Sequence, residues 1–507
     1  MSVSRWSLAA ALIVAAVLRL FRLGHQSLWI DEIFTWRAAA VGAPWTPTQM
    51  LEDVHGPLYS TLLHAWTSLA GGSEWALRFP SAILGVALVA AIAWLSGRWL
   101  GPATVVPAAW LAAGSPFLVW YAQEARNYTL LMLCMTVASA LVLGQRGRAG
   151  VRGTVAYIAV AWAGLLSNLS FALAAPVHLR WWLAVPGSPA LRVARVALVG
   201  IVLVVLASPW IPQIGRIWDW SRLEPSREAA PAEAPLRGET TFHAAALPFA
   251  AASIAGGYTL GPSLRALRAA PGMEALRPHV VSLAALALVF GTLAILGFRA
   301  LHARGRLLEG LLWLLVPALI VSYFATQNFK VFHPRYLAVA VPGFIALLAA
   351  ALTDLKPRAR AAAALAIAAL WAVSLQHHYF ESRYAKEDMR GASALLAARA
   401  VPGERIVAAN TEDLLFFYYR GPLPVVSYWL GWASDEARGD QRLDALVGDA
   451  SGAWVVLSRG EDLDPRGAFA RRLDERFPDA EQFRFEGVRV WHLRRAVPDG
   501  APSTARS

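Results

Sequence analysis

Residues 280–298 read VVSLAALALVFGTLAILGF, from Val280 to Phe298, without one Asp, Glu, Lys or Arg. A helix needs about 20 mostly apolar residues to cross a bilayer, and this run qualifies. Similar stretches precede it at roughly 7–23, 77–95, 104–121, 128–143, 154–169, 171–185 and 193–211, and follow it at 311–324, 336–352 and 361–375. The reading is a polytopic α-helical membrane protein with about eleven transmembrane helices, 154–185 forming either one long span or two.

Composition agrees. Hydrophobic residues make up 57% of the 507 and charged residues only 16%, against about 25% charged in ordinary soluble domains. The lone cysteine, Cys134, excludes a disulfide scaffold and a cysteine-based zinc module. The net charge of +12 would suit a nucleic-acid partner, but its distribution does not. From Phe380 onward there are 20 acids and 18 bases, so the basic excess lies in the apolar part. There it belongs to membrane topology, and no nucleic acid is expected.

With a cytoplasmic N-terminus, the inside loops carry Arg98; Arg146, Arg148 and Arg152; Arg192 and Arg195; Arg299, Arg304 and Arg306; and Lys356, Arg358 and Arg360. Their only acids are Glu309 and Asp354, at the edges. This positive-inside bias sets the orientation and, with an odd span number, puts the C-terminal segment outside. The first span lacks an A-x-A cleavage signature and reads as a retained helix. The expected division is a membrane domain over 1–379, with a first outside loop at 24–76, and a small extracytoplasmic α/β domain over 380–507. In the latter, helices are expected at 389–400, 412–419, 442–447 and 466–477, and strands at 405–409, 423–427 and 453–457. A strand or hairpin is expected at 482–493, and there is no phosphate-binding glycine loop and no H-E-x-x-H.

Four polar clusters fall on the outside by this topology. Asp31 and Glu32 open a short interfacial helix whose apolar face is Trp29, Ile33 and Trp36. Adjacent helical residues point about 100° apart, so one carboxylate should face a reaction centre and the other hold structure or a metal. His55 precedes Gly56, Pro57, Leu58 and Tyr59 at the start of another helix, where a histidine suits a metal or a phosphate. Gln123, Glu124, Arg126 and Tyr128 sit at the outer end of the third span, where buried charges are costly and mark function. Lys330, His333 and Arg335 make a compact cationic group suited to a phosphate. Together they suit transfer from a lipid phosphate, a carboxylate taking the proton of an attacking hydroxyl and cations receiving the leaving phosphate.

The segments Gly24-His25-Gln26-Ser27-Leu28-Trp29-Ile30-Asp31-Glu32, His55-Gly56-Pro57-Leu58-Tyr59, Arg78-Phe79-Pro80-Ser81, Gln123-Glu124-Ala125-Arg126 and His333-Pro334-Arg335-Tyr336 occur in that order. Their combination resembles bacterial GT-C glycosyltransferases of the family 39-like branch, relatives of protein O-mannosyltransferases and lipid A aminoarabinose transferases. The resemblance implies a GT-C fold, a polyprenyl-phosphate-linked sugar donor, a lipid, glycan or protein acceptor, and inversion at the anomeric carbon. It places the active site on the extracytoplasmic face of a bacterial inner membrane. By motif it implies Asp31 as catalytic base with Glu32 beside it, and Arg126 on the donor phosphate. Glu124 would orient the phosphate or bind acceptor, and His333 and Arg335 correspond loosely. Some relatives bind a divalent metal, for which Glu32 and His55 are the candidates here; no other cofactor is implied.

The alternative class is a transporter or flippase of a lipid-linked sugar. It calls for charges near the bilayer midplane and inverted repeats, and the sequence has neither. A membrane-anchored receptor acting through its tail would leave the first-loop carboxylates unexplained.

Overall fold

The computed structural model describes residues 2–40, 56–147, 149–210, 245–269, 273–327, 332–434, 436–464 and 467–494. Six of its helices are long and apolar enough to cross a membrane: Glu74–Leu100, Pro189–Ala207, Met273–Ala303, Leu307–Thr326, Pro334–Asp354 and Pro357–Phe380. The pair Pro102–Gly114 and Pro116–Ala122, bent by 58°, would make a seventh. Tyr128–Gly144 and Val151–Ser167 are shorter apolar helices, and Ser2–Leu20 is helical where the first span is expected.

One expected span takes another form. The chain breaks at Asn168, whose side-chain oxygen accepts the Ser170 amide at 2.9 Å. A 3-10 turn, Leu169–Ala174, and a nine-residue helix, Ala175–Leu183, follow. The segment 154–185 is therefore broken rather than one long helix, and the helix after the break is too short to span by itself.

Prolines shape the two helices nearest the polar clusters, because each removes an N–H and frees the carbonyl four residues earlier. Pro80 frees the carbonyl of Ala76, which accepts the Trp66 indole N–H at 2.8 Å. Pro116 frees that of Ala112, and fully buried Arg19 donates to it and to the carbonyl of Ala113, both at 3.0 Å. The bend at Pro116 is thus stabilised by a cation from the first helix. It aims Pro116–Ala122 so that residues 123–127 reach the polar end. Close packing helps: a Cβ on Gly85 would lie 2.6 Å from that of Ala122, so only glycine admits this approach.

After Phe380 the chain builds a five-stranded sheet in the order β2-β1-β3-β5-β4. Its strands are β1 (Arg405–Ala409), β2 (Val425–Tyr428), β3 (Gly452–Ser458), β4 (Glu481–Phe485) and β5 (Val488–Arg494). β1 is parallel to β2 and β3, and β4 and β5 form the antiparallel hairpin. This unit grips the first loop. The Tyr418 hydroxyl accepts the Leu28 N–H at 2.6 Å, Arg390 pairs with Glu74 at 2.7 Å and donates to the Gly24 carbonyl at 3.1 Å, and Arg37 pairs with Asp413.

Candidate active site

Asp31 and Glu32 occupy the first turn of the helix Ile30–Ala40, and helical geometry sends them to different surroundings. Glu32 is fully buried. Arg78 holds it bidentately, Nε to Oε1 and Nη2 to Oε2, both at 2.8 Å. Lys386 Nζ reaches Oε2 at 3.0 Å, and the Ala125 N–H donates to Oε1 at 2.8 Å. Burial alone would raise its carboxyl, but Arg78, then Lys386 and the hydrogen bonds, hold it down at about 2. Glu32 is thereby the keystone between the first loop, the helix Glu74–Leu100 and the loop at 123–127.

Asp31 is partly exposed, at 21%, and so is Arg335. Arg335 Nη1 donates to Asp31 Oδ2 at 2.8 Å across 304 residues of sequence. Arg126 Nη2 lies 3.8 Å from the same oxygen, while its Nη1 is fixed by the Asp31 carbonyl at 2.9 Å and Thr35 Oγ1 at 2.8 Å. Tyr128 is buried with its ring 5.9 Å from the Arg126 guanidinium. One carboxylate and two guanidiniums therefore meet at an accessible place.

The remaining sequence candidates divide. Glu124 is buried against Lys386 Nζ at 3.1 Å; burial raises its carboxyl against the pull of Lys386, and Glu32 pushes it the same way. Gln123 spends its amide on protein: nitrogen to the carbonyls of Phe21 at 2.8 Å and Arg19 at 3.1 Å, oxygen to His378 Nε2 at 2.8 Å. The buried Tyr59 hydroxyl bonds Ser81 Oγ at 2.6 Å. His333 caps the 3-10 turn Pro334–Ala340 by accepting the Arg335 N–H at 3.2 Å, which aims Arg335 at Asp31. His55 and Lys330 lie outside the described residues.

Of the metal candidates only Glu32 can be tested, and both its oxygens are taken by cations. Among the described residues no group of three His, Cys, Asp or Glu side chains is placed to hold a metal. Glu32, engaged in this way, does not fit a metal ligand.

Sequence reading left Arg78 and Lys386 without a role. Arg78 stands in the quoted Arg78–Ser81 motif, and Lys386 is one of only three lysines in the chain; that rarity was the available signal. Among the described residues, one small cleft beside the cluster is lined by Trp120, Glu124, His378 and Lys386, and another by Phe34, Thr35, Gly56, Tyr59 and Arg126.

Residues 54–212 match the family model described as dolichyl-phosphate-mannose-protein mannosyltransferase. No curated protein matches the chain. Among solved structures, apo ArnT from Cupriavidus metallidurans is similar at TM-score 0.59 and 16% identity, over 97% of this chain and 98% of that one. The same protein bound to undecaprenyl phosphate gives 0.57 and 16%, over 98% and 99%. AglB, the oligosaccharyltransferase of Archaeoglobus fulgidus, in complex with an inhibitory peptide and a dolichol-phosphate, gives 0.53 and 12%, over 98% and 75%. The chain has the GT-C fold.

Within the GT-C fold, the first-loop helix, the loop after the bent pair and the turn at 334–340 converge at one end of the helices. The arginine-rich loops meet at another place: Arg306 pairs with Glu309 at 3.2 Å and Arg304 with Asp354 at 2.7 Å, and Arg146 also pairs with Glu309.

Proposed function

We propose that this protein is a membrane glycosyltransferase that moves a sugar from a polyprenyl-phosphate donor to an acceptor hydroxyl, at the extracytoplasmic face of the bacterial inner membrane. The observation that carries the proposal is the partly exposed Asp31 carboxylate with Arg335 at 2.8 Å and Arg126 at 3.8 Å. The match of residues 54–212 to a family named for a polyprenyl-type donor supports the same reading.

Asp31 takes the proton of the acceptor hydroxyl as its oxygen attacks the anomeric carbon. The bond from that carbon to the phosphate oxygen breaks, and the polyprenyl phosphate leaves with the electron pair. Arg126 and Arg335 receive the developing negative charge, joined by His333 and, from outside the described residues, Lys330 and His55. Attack opposite the leaving group inverts the configuration. An entering phosphate competes with Asp31 for Arg335, so donor binding releases the base from the cation that would weaken it. Glu32 takes no proton and holds the helix that carries Asp31. The membrane part over 1–379 supplies this chemistry, and the domain over 380–507 clamps it.

The test uses purified protein in nanodiscs, a panel of radiolabelled polyprenyl-phosphate sugars and an envelope extract as acceptor source. Release of polyprenyl phosphate with label passing to an acceptor is expected. Donor binding without release from any panel member would contradict the proposal and favour a transporter.

A further inference from the structure

A hydroxyl that the transfer scheme leaves unused sits between the base and one of its cations. Thr35 follows Asp31 by one turn on the helix Ile30–Ala40, and its Oγ1 donates to the Asp31 carbonyl at 3.0 Å. A hydroxyl has one hydrogen and two lone pairs, and a carbonyl only accepts. The hydrogen is therefore committed, and Oγ1 can only accept from any further partner. That partner is Arg126: its Nη1 donates to Thr35 Oγ1 at 2.8 Å and to the same Asp31 carbonyl at 2.9 Å. The three contacts close a ring through Asp31, Thr35 and Arg126.

The ring dictates how the guanidinium stands. Nη1 carries two N–H groups, and both are spent here. Because the guanidinium is planar, two fixed directions at one end fix the orientation of the other. Nη2 accordingly lies 3.8 Å from Asp31 Oδ2, the oxygen that Arg335 Nη1 holds at 2.8 Å. The backbone of Arg126 is anchored by other groups. Ser81 Oγ donates to its carbonyl at 3.3 Å, and its N–H donates to the Glu124 carbonyl at 2.8 Å. Thr35 acts instead on the charged end of the side chain.

We infer that Thr35 is a positioning residue, whose hydroxyl sets the angle at which Arg126 faces Asp31 and the leaving phosphate. The inference rests on the glycosyltransferase reading and adds to it a group that works through Arg126. A loosely held guanidinium still attracts a phosphate by its charge. Charge that develops during the reaction is stabilised best by donors already in place. Thr35 therefore governs the rate of transfer more than the binding of the donor.

The test separates the hydroxyl from the methyl group, since valine keeps the shape and serine keeps the hydroxyl. The full chain in nanodiscs is given radiolabelled undecaprenyl-phosphate mannose, glucose, galactose and arabinose, with an envelope extract as acceptor source. Single-turnover release is measured beside a titration with undecaprenyl phosphate. Thr35→Val should slow release about 10- to 100-fold, the range that a small misplacement costs, while affinity for undecaprenyl phosphate stays within about threefold of wild type. Retained affinity also shows that the variant is folded. Thr35→Ser should recover most of the rate. In an Arg126→Ala background, Thr35→Val should slow release no further. Release by Thr35→Val at the wild-type rate, or a slower Thr35→Ser than Thr35→Val, would assign the residue to packing and overturn the inference. Losses that add in the double variant would overturn it too, because Thr35 would then act without Arg126. A wild type that binds undecaprenyl phosphate but transfers none of the four sugars would refute the glycosyltransferase reading itself, and with it the role of Thr35.

Discussion

Glu32→Gln should cost this protein stability before it costs chemistry. The substitution keeps the side-chain volume but removes the charge that faces Arg78 and Lys386. The carboxyl sits at about 2 rather than its ordinary 4.5, which at ~1.4 kcal/mol per tenfold change in acidity corresponds to about 3 kcal/mol. Removal of one partner from a buried pair costs ~3–5 kcal/mol by general experience, so the two magnitudes agree. The sign follows from linkage. A carboxyl held low contributes its full stability above pH 4.5 and loses it as pH falls toward 2. Equilibrium unfolding in SDS mixed micelles should show the variant ~3 kcal/mol less stable at pH 7. Over the window from 4.5 to 2 the wild type should lose that advantage, and the variant should lack this part of the acid limb. A difference below about 1 kcal/mol at neutral pH would refute the keystone role, since a surface-like pair is worth that little.

Other perturbations separate the remaining roles. Arg335→Ala and Arg126→Ala each remove one charge-assisted contact worth ~1.5–3 kcal/mol, so polyprenyl phosphate should bind about 10- to 150-fold more weakly in nanodisc titrations; unchanged affinity would place the phosphate elsewhere. Gly56→Ala would put a Cβ 1.9 Å from the Leu166 carbonyl oxygen. An overpacked site costs ~1–3 kcal/mol, and a variant as stable as wild type would contradict that approach. Arg390→Ala loosens the grip on the carbonyls of Gly24 and Gln26. Amide exchange over 24–32 should then accelerate, and unaltered exchange would show that the C-terminal domain does not clamp the loop.

Legibility followed the range of the interactions. The long spans could be read because the bilayer imposes a local rule on composition. The C-terminal strands could be read because short runs of β-branched and aromatic residues between turn residues are a local signal, down to the hairpin of β4 and β5. Asp31 and Glu32 could be assigned opposite surroundings because helical rotation is local too. Across longer distances the signal failed. Pro80 and Pro116 announce freed carbonyls, but nothing near them says that Trp66 and Arg19 supply the missing donors. The short helix Ala175–Leu183 is apolar enough to suggest a span, and only the break capped by Asn168 shows otherwise. Lys386 meets Glu32 across 354 residues. No local pattern encodes that contact, which joins the C-terminal segment to the first loop.

The central claim is that Asp31 is the base of a sugar transfer. The most direct measurement is single-turnover release of polyprenyl phosphate by wild type and Asp31→Asn, with donor affinity measured on the same preparations. The account predicts that Asp31→Asn still binds donor while transfer falls by about 10²- to 10⁴-fold, the usual contribution of general base catalysis. Transfer by Asp31→Asn at the wild-type rate would contradict it.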